Sequence, residues 1–166
     1  MVSIGVVSTN GAEMLGPTDV KHGAAAEGTG GETILLVEDD LLLRRVMTRV
    51  LQSAGYRVLA AEDGEVAIGL WQKHGTEIGL VISDSAMPKI GGLGLFQFVM
   101  GERPLNEPPP LPFLFCSGFP EGHVGFQEVS GPGRSFLLKP FETLQLRSEV
   151  RRLLTGAKQV AQPIDR

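Results

Sequence analysis

Apolar residues along the 166-residue chain alternate between short unbroken runs and longer stretches with helical spacing. The runs Ile34 to Val37, Leu80 to Ile82, Phe113 to Cys116 and Phe136 to Leu138 carry no polar alternation, and Tyr56 to Ala60 adds a fifth, more polar segment. A short apolar run of that kind fits a strand covered on both faces, as parallel sheets require. Strands are therefore expected over 33–37, 56–60, 80–84, 113–116 and 135–138. Pro88 prevents the third from continuing as ladder.

Helical spacing fills the intervals. Over 42–54, Leu42, Val46 and Val50, with Met47 and Leu51, recur at three and four and oppose Arg44, Arg45 and Arg49. Asp40 is placed to cap that helix and Gly55 to end it. Asp63 and Gly64 form a turn, followed by a helix over 66–74 in which Ile68, Leu70 and Trp71 are partly buried; His74 falls at its end. A short, strongly apolar helix covers 93–100, and a closing helix covers 141–154 with Leu144, Leu146, Val150, Leu153 and Leu154 as its apolar set. Between them, 103–112 holds five of the 11 prolines and is expected to be an extended connection. A helix over 121–129 is diluted by Gly122 and Gly125 and should be the softest regular element. Strands alternating with helices imply parallel strands joined by right-handed crossovers: an α/β, doubly wound sheet with helices on both faces.

The ends of the chain lack this pattern. Residues 1–31 are rich in Gly, Ala, Ser and Thr, too poor in apolar surface to offset the entropy of ordering, and are expected to be a tail or linker. Gly28 to Gly31 is no phosphate loop, because it precedes a strand where a dinucleotide fingerprint follows one. The folded domain is expected over 32–156, with a second tail at 157–166.

Composition narrows the function classes. A net charge of -4, a pI near 5.4 and no basic run leave no footprint for direct nucleic-acid binding. Cys116 is the single cysteine, so no internal disulfide forms, and its apolar run makes it a small buried hydrophobe. No apolar stretch approaches the roughly 20 residues of a membrane span. Residues 1–9 lack the basic start and apolar length of a signal peptide, so the expected compartment is the cytoplasm.

The chemistry lies at the strand ends. The first strand runs into Glu38, Asp39 and Asp40, the third into Asp84, and the fifth into Lys139 and Pro140. One aspartate before a turn is most often a backbone cap; three apolar strands ending in acid, acid and base are a constellation.

The segment from Ile34 to Asp40, Asp84 to Pro88 with Gly92, Phe115 to Gly118, and Lys139-Pro140-Phe141, in this order and spacing, resembles the receiver domain of two-component response regulators over 32–155. The wording of 31–35 and 114–118 is most similar to receivers of hybrid histidine kinases. The resemblance implies a flavodoxin-like five-stranded sheet in the order 2-1-3-4-5, with ligands outside the carboxyl ends of the strands at the switch point. In that order Glu38 and Asp39 stand beside Asp84, and Ser117 and Lys139 come in from strands four and five. Three crowded carboxylates need a cation to stay ionised together, and an all-oxygen site suits Mg2+.

By resemblance, Asp39 and Asp84 supply oxygens to Mg2+, Glu38 acts directly or through water, and Ala86 gives its backbone carbonyl. Asp84 is also the phosphoacceptor, Lys139 neutralises phosphoryl oxygens, and Ser117 hydrogen-bonds the phosphoryl group and moves toward it. Phe136 matches the aromatic switch position, beside a plain reading as an apolar strand residue. A cis bond is frequent in the family where Lys139 meets Pro140. The expected partners are a histidine kinase or histidine phosphotransfer protein as donor and an unidentified downstream protein, with no direct contact to nucleic acid or membrane. The expected chemistry is self-catalysed phosphotransfer and autodephosphorylation, with no output domain attached.

The sequence departs from the family pattern at Gly79, Gly91, the proline-rich 103–112 insert and the glycine-rich 121–133 region, without loss of a site residue. A pseudo-receiver that acts without phosphorylation is the alternative, and the complete acid, serine and lysine set argues against it. A phosphatase with Asp84 as nucleophile lacks the second acid two residues on, where Ala86 stands. A flavin carrier would need a phosphate loop where Glu38, Asp39 and Asp40 repel phosphate. The pattern is equally compatible with a stand-alone regulator and with a piece of a hybrid kinase.

Overall fold

Strands β1 (Thr33–Val37), β2 (Arg57–Ala61), β3 (Ile78–Asp84), β4 (Phe113–Ser117) and β5 (Arg134–Leu138) form one sheet in the computed structural model, which describes residues 31–103, 111–118 and 131–160. The order is β2-β1-β3-β4-β5, and every neighbouring pair is parallel. This is the doubly wound, flavodoxin-like arrangement expected from the alternation of patterns. Four helices accompany it among the described residues: α1 (Leu41–Ser53), α2 (Gly64–His74), α3 (Gly92–Glu102) and α4 (Thr143–Val160). The helix expected over 121–129 and most of the proline-rich connection lie outside the described residues.

The unbroken apolar runs feed two core layers, one on each side of the sheet. Ile34, Leu36, Leu80, Ile82, Leu114 and Cys116 point toward α1 and α4, where Met47, Leu51, Tyr56, Leu146, Val150 and Leu153 complete the layer. Leu35, Val37, Val81, Phe113 and Phe115 point the other way, onto Ala67 and Trp71 of α2 and Leu95 and Val99 of α3. Ile34 to Val37 are fully buried, which is why the first strand tolerates no polar residue on either side.

Four local expectations are corrected. β3 begins at Ile78 rather than Leu80, because Thr33 pairs with Ile78 while Ile34 pairs with Leu80. Gly79 is the extra residue of a bulge, which reverses the alternation and lets Ile78 join Val81 in the α2 and α3 layer. Asp63 and Gly64 start a helix: Asp63 is the N-cap of α2 and accepts from the Val66 N–H at 2.8 Å. Leu42 and Val46 do not face the core but stand 72% and 53% exposed, and the stripe that packs runs through Leu43, Met47, Val50 and Leu51. Finally, α4 continues to Val160, where Lys158 pairs with Glu32 across the start of the sheet, and Leu144 of its expected apolar set is 70% exposed.

Candidate functional site

The pairing of β1 with β3 ends at Val37 opposite Ser83, so Glu38 and Asp84, one residue further along each strand, stand side by side. Crossovers leave β1 and β3 in opposite directions, toward β2 and toward β4, which opens a crevice at that point. On the other flank, Asp84 pairs with Cys116 and Ser117 with Leu138, which brings Ser117 and Lys139 to the same edge.

Local structure fixes each approach. Asp40 caps α1, accepting from the N–H groups of Leu42 at 2.8 Å and Leu43 at 2.9 Å, so the chain turns sharply after Asp39. Gly92 lets α3 begin against β3: a Cβ there would lie 2.6 Å from the Asp84 carbonyl oxygen. The Lys139–Pro140 bond is cis, and the Lys139 N–H donates to the Ser117 carbonyl at 2.6 Å, tying the ends of β4 and β5 together.

Lys139 Nζ bridges two acids, donating to Glu38 Oε2 at 2.7 Å and to Asp84 Oδ2 at 2.5 Å. Glu38 is 1% exposed; burial raises its carboxyl above the ordinary range, and the neighbouring Asp84 charge adds to this while Lys139 opposes it. Burial by itself would lower the Lys139 ammonium, but hydrogen bonds to Asp84 and Glu38 and their charges outweigh it, and the ammonium is held above its ordinary value. The other Asp84 oxygen accepts from the Ala86 N–H at 2.9 Å. Ser117 is buried at the end of β4.

Glu38, Asp39 and Asp84 each present an oxygen, all three within 4.8 Å of one another. At metal–oxygen distances near 2.1 Å, opposite oxygens of an octahedral shell are about 4.2 Å apart. The cluster therefore spans such a shell to within a side-chain rotation. Three carboxylates against the single Lys139 ammonium leave excess negative charge, so the donor set fits a hard divalent cation.

Phe136 lies on β5 away from this edge. Its half-buried ring stacks on Phe115 at 5.1 Å and 15°, and Phe115 stacks on Phe113 at 4.6 Å. Burial pushes the Cys116 thiol up to about 12, which leaves it a packing residue of the α1 and α4 layer.

Two residues were not singled out from the sequence. Lys89, in the loop after Asp84, adopts φ 65 and pairs with Glu65 at 2.7 Å and Asp63 at 3.4 Å, tying that loop to the start of α2. Arg44 folds back from α1 onto the carbonyls of Glu38 and Asp39. Nothing in the sequence sets it apart from Arg45 and Arg49 of the same helix.

A doubly wound sheet with clustered acids and a lysine at its switch point defines a signalling receiver. Residues 34–151 match the response regulator receiver domain family, and the chain belongs to it. Sensor kinase CckA of Brucella abortus (strain 2308) is 33% identical over 130 residues, 78% of this chain and 13% of the kinase. The probable transcriptional regulator ycf27 of Cyanophora paradoxa is 31% identical over 121 residues, 73% of this chain and 47% of the regulator. The chain thus spans half or less of these two relatives. Among solved structures, the receiver domain of the hybrid histidine kinase CckA is 36% identical with a TM-score of 0.58, over 74% of this chain and 98% of that one. Vibrio cholerae chemotaxis protein CheY4 is 25% identical with a TM-score of 0.66, over 75% and 99%. Receivers are modules of two-component signalling rather than classical enzymes, typically bind Mg2+ at an acidic cluster, and interact with histidine kinases or phosphotransfer proteins and with downstream effectors.

Proposed function

We propose that the chain is a phosphoacceptor receiver of a cytoplasmic phosphorelay, in which Asp84 takes a phosphoryl group from a phosphohistidine of a kinase or phosphotransfer protein. The observation that carries this reading is the Lys139 ammonium lying between Asp84 and Glu38 inside a cluster of three carboxylates. An Asp84 oxygen attacks phosphorus, the phosphorus–nitrogen bond breaks with its electron pair going to the histidine nitrogen, and an acyl phosphate forms. Lys139 offers a point charge to the transferred oxygens. A Mg2+ ion held by Glu38, Asp39, Asp84 and the Ala86 carbonyl would neutralise charge gathering on those oxygens. Attack of water on phosphorus then returns the Asp84 carboxylate and releases phosphate. Ser117 donates its hydroxyl to the phosphoryl group, and Phe136, stacked on Phe115 of the same strand pair, follows the shift of the β4 end.

The donor has a landing surface beside the acids. Leu41, Leu42 and Val46 are exposed on α1 and, with Arg45 and Arg49, line a groove of about 890 Å³. A helical partner with an apolar stripe and acidic flanks fits it. We assign the receiver to 32–160, because α4 runs on to Val160 and Lys158 pairs with Glu32, with 1–31 and 161–166 as flanking segments.

Incubation with Mg2+ and acetyl phosphate tests the reading. The protein should gain one hydroxylamine-labile phosphate by mass spectrometry, and Asp84→Asn should gain none. Equal labelling of that variant would place the acceptor elsewhere.

A further inference from the structure

Arg44 differs from the other arginines of its helix. Arg45 and Arg49 are exposed, whereas the Arg44 side chain is 13% exposed and lies back across the start of α1. Its Nη1 donates to the Glu38 carbonyl at 2.5 Å and the Asp39 carbonyl at 3.2 Å, while Nη2 lies 3.6 Å from Glu62 Oε2. The backbone beneath is fixed: the Arg44 N–H donates to Asp40 O at 2.9 Å, and Thr48 Oγ donates to the Arg44 carbonyl at 2.7 Å.

Glu38 and Asp39 need such support. The β1 ladder registers end at Val37, and although the Glu38 N–H still reaches Ala61 O at 3.2 Å, Asp39 belongs to neither neighbouring ladder. Asp40 is anchored separately as the cap of α1. The peptide planes between these two anchors set the directions in which the Glu38 and Asp39 carboxylates leave the chain. Arg44 holds both carbonyls of that span. A guanidinium fork reaches two adjacent carbonyls and a carboxylate at once, which a single ammonium cannot reproduce.

We propose that Arg44 is a positioning residue for the acidic cluster: by holding the Glu38 and Asp39 carbonyls it aims their carboxylates and sets the affinity of the site for its divalent cation, without touching cation or phosphoryl group. The inference rests on the cation-binding reading above. Charge and positioning predict opposite signs. Removing a nearby positive charge by itself strengthens cation binding, whereas loss of the two carbonyl contacts spreads the ligand oxygens and weakens it.

The test is calorimetric titration of the full chain with Mg2+, below the unfolding temperature of each variant. Wild type should bind saturably, Arg44→Ala and Arg44→Lys should each bind about 10-fold more weakly, the size of effect seen when the support of metal ligands is removed, and Lys73→Ala on α2 should match wild type. If Arg44→Ala does not fold, Arg44→Lys and Arg44→Gln, which retain the stem, carry the same comparison. Failure of wild type to bind Mg2+ would overturn the cation reading itself. Wild-type binding with unchanged or tighter binding by Arg44→Ala, or full rescue by Arg44→Lys, would overturn the positioning role and leave the cation reading intact.

Discussion

Replacing Gly64 by alanine should unfold the domain at lower temperature, although the same change five residues later on the same helix should do the opposite. A Cβ on Gly64 would lie 2.5 Å from the Ile90 carbonyl oxygen, 2.6 Å from its Cβ and 2.8 Å from its Cγ2. None of these is the free end of a flexible side chain, so the loop carrying Ile90 must move or α2 must shift. Forcing a methyl group into such a contact costs about 1–3 kcal/mol. For a chain of this size each kcal/mol moves the midpoint by roughly 2–4 °C, so Gly64→Ala should lose about 2–12 °C. At Gly69 a Cβ meets nothing within 4 Å, so alanine there only relieves the entropic cost of glycine in a helix, a gain of about 0.5–1 kcal/mol. Thermal unfolding followed by circular dichroism reads both. A Gly64→Ala protein as stable as wild type would mean that α2 does not pack against the loop after Asp84 as described, and a destabilised Gly69→Ala would refute the propensity argument.

Two further outcomes follow from titrating groups. The N–H groups of Leu43 and then Leu42 hold the Asp40 carboxyl below its ordinary value of 3.8; with a depressed folded value, the stability it lends is present above the unfolded value and lost as pH falls through the folded one. Wild type should therefore exceed Asp40→Asn in unfolding free energy near neutral pH, with the gap closing as pH falls below the ordinary value of 3.8; a gap that does not close would show that the charge of the cap contributes nothing. Cys116 is 1% exposed and its thiol is pushed up to about 12, so at pH 8 only about one in 10⁴ is thiolate, and alkylation should be orders of magnitude slower in the native protein than in denaturant. Comparable rates would contradict the burial of β4.

The strands were legible because a sheet covered on both faces writes itself as unbroken apolar residues, as Ile34 to Val37 do. The bulge at Gly79 was not, since one extra residue in a ladder changes parity without changing composition. On α1, Leu41, Leu42 and Leu43 followed by Val46 and Met47 offer two adjacent stripes with equal spacing. Only the direction in which the chain leaves β1 selects Leu43 and Met47. The acids and Lys139 could be read as a site because each ends an apolar run, and charge at a buried strand end is uncommon. Arg44 could not, because its partners are two backbone carbonyls whose orientation exists only once the turn after β1 has formed. On sequence it was one of three arginines on a polar face.

The separation of the interior into two layers also sorts the chromophores. The chain has one tyrosine and one tryptophan: Tyr56 is buried with α1 and α4, and Trp71 is buried with α2 and α3, with the sheet between them. Tryptophan emission therefore reports one side of the sheet, and second-derivative tyrosine absorbance the other, in the unmodified protein. Coincident melting of the two signals is the mark of a single cooperative unit, and any lag between them measures, in degrees, how independently the two sides let go of the strands they share.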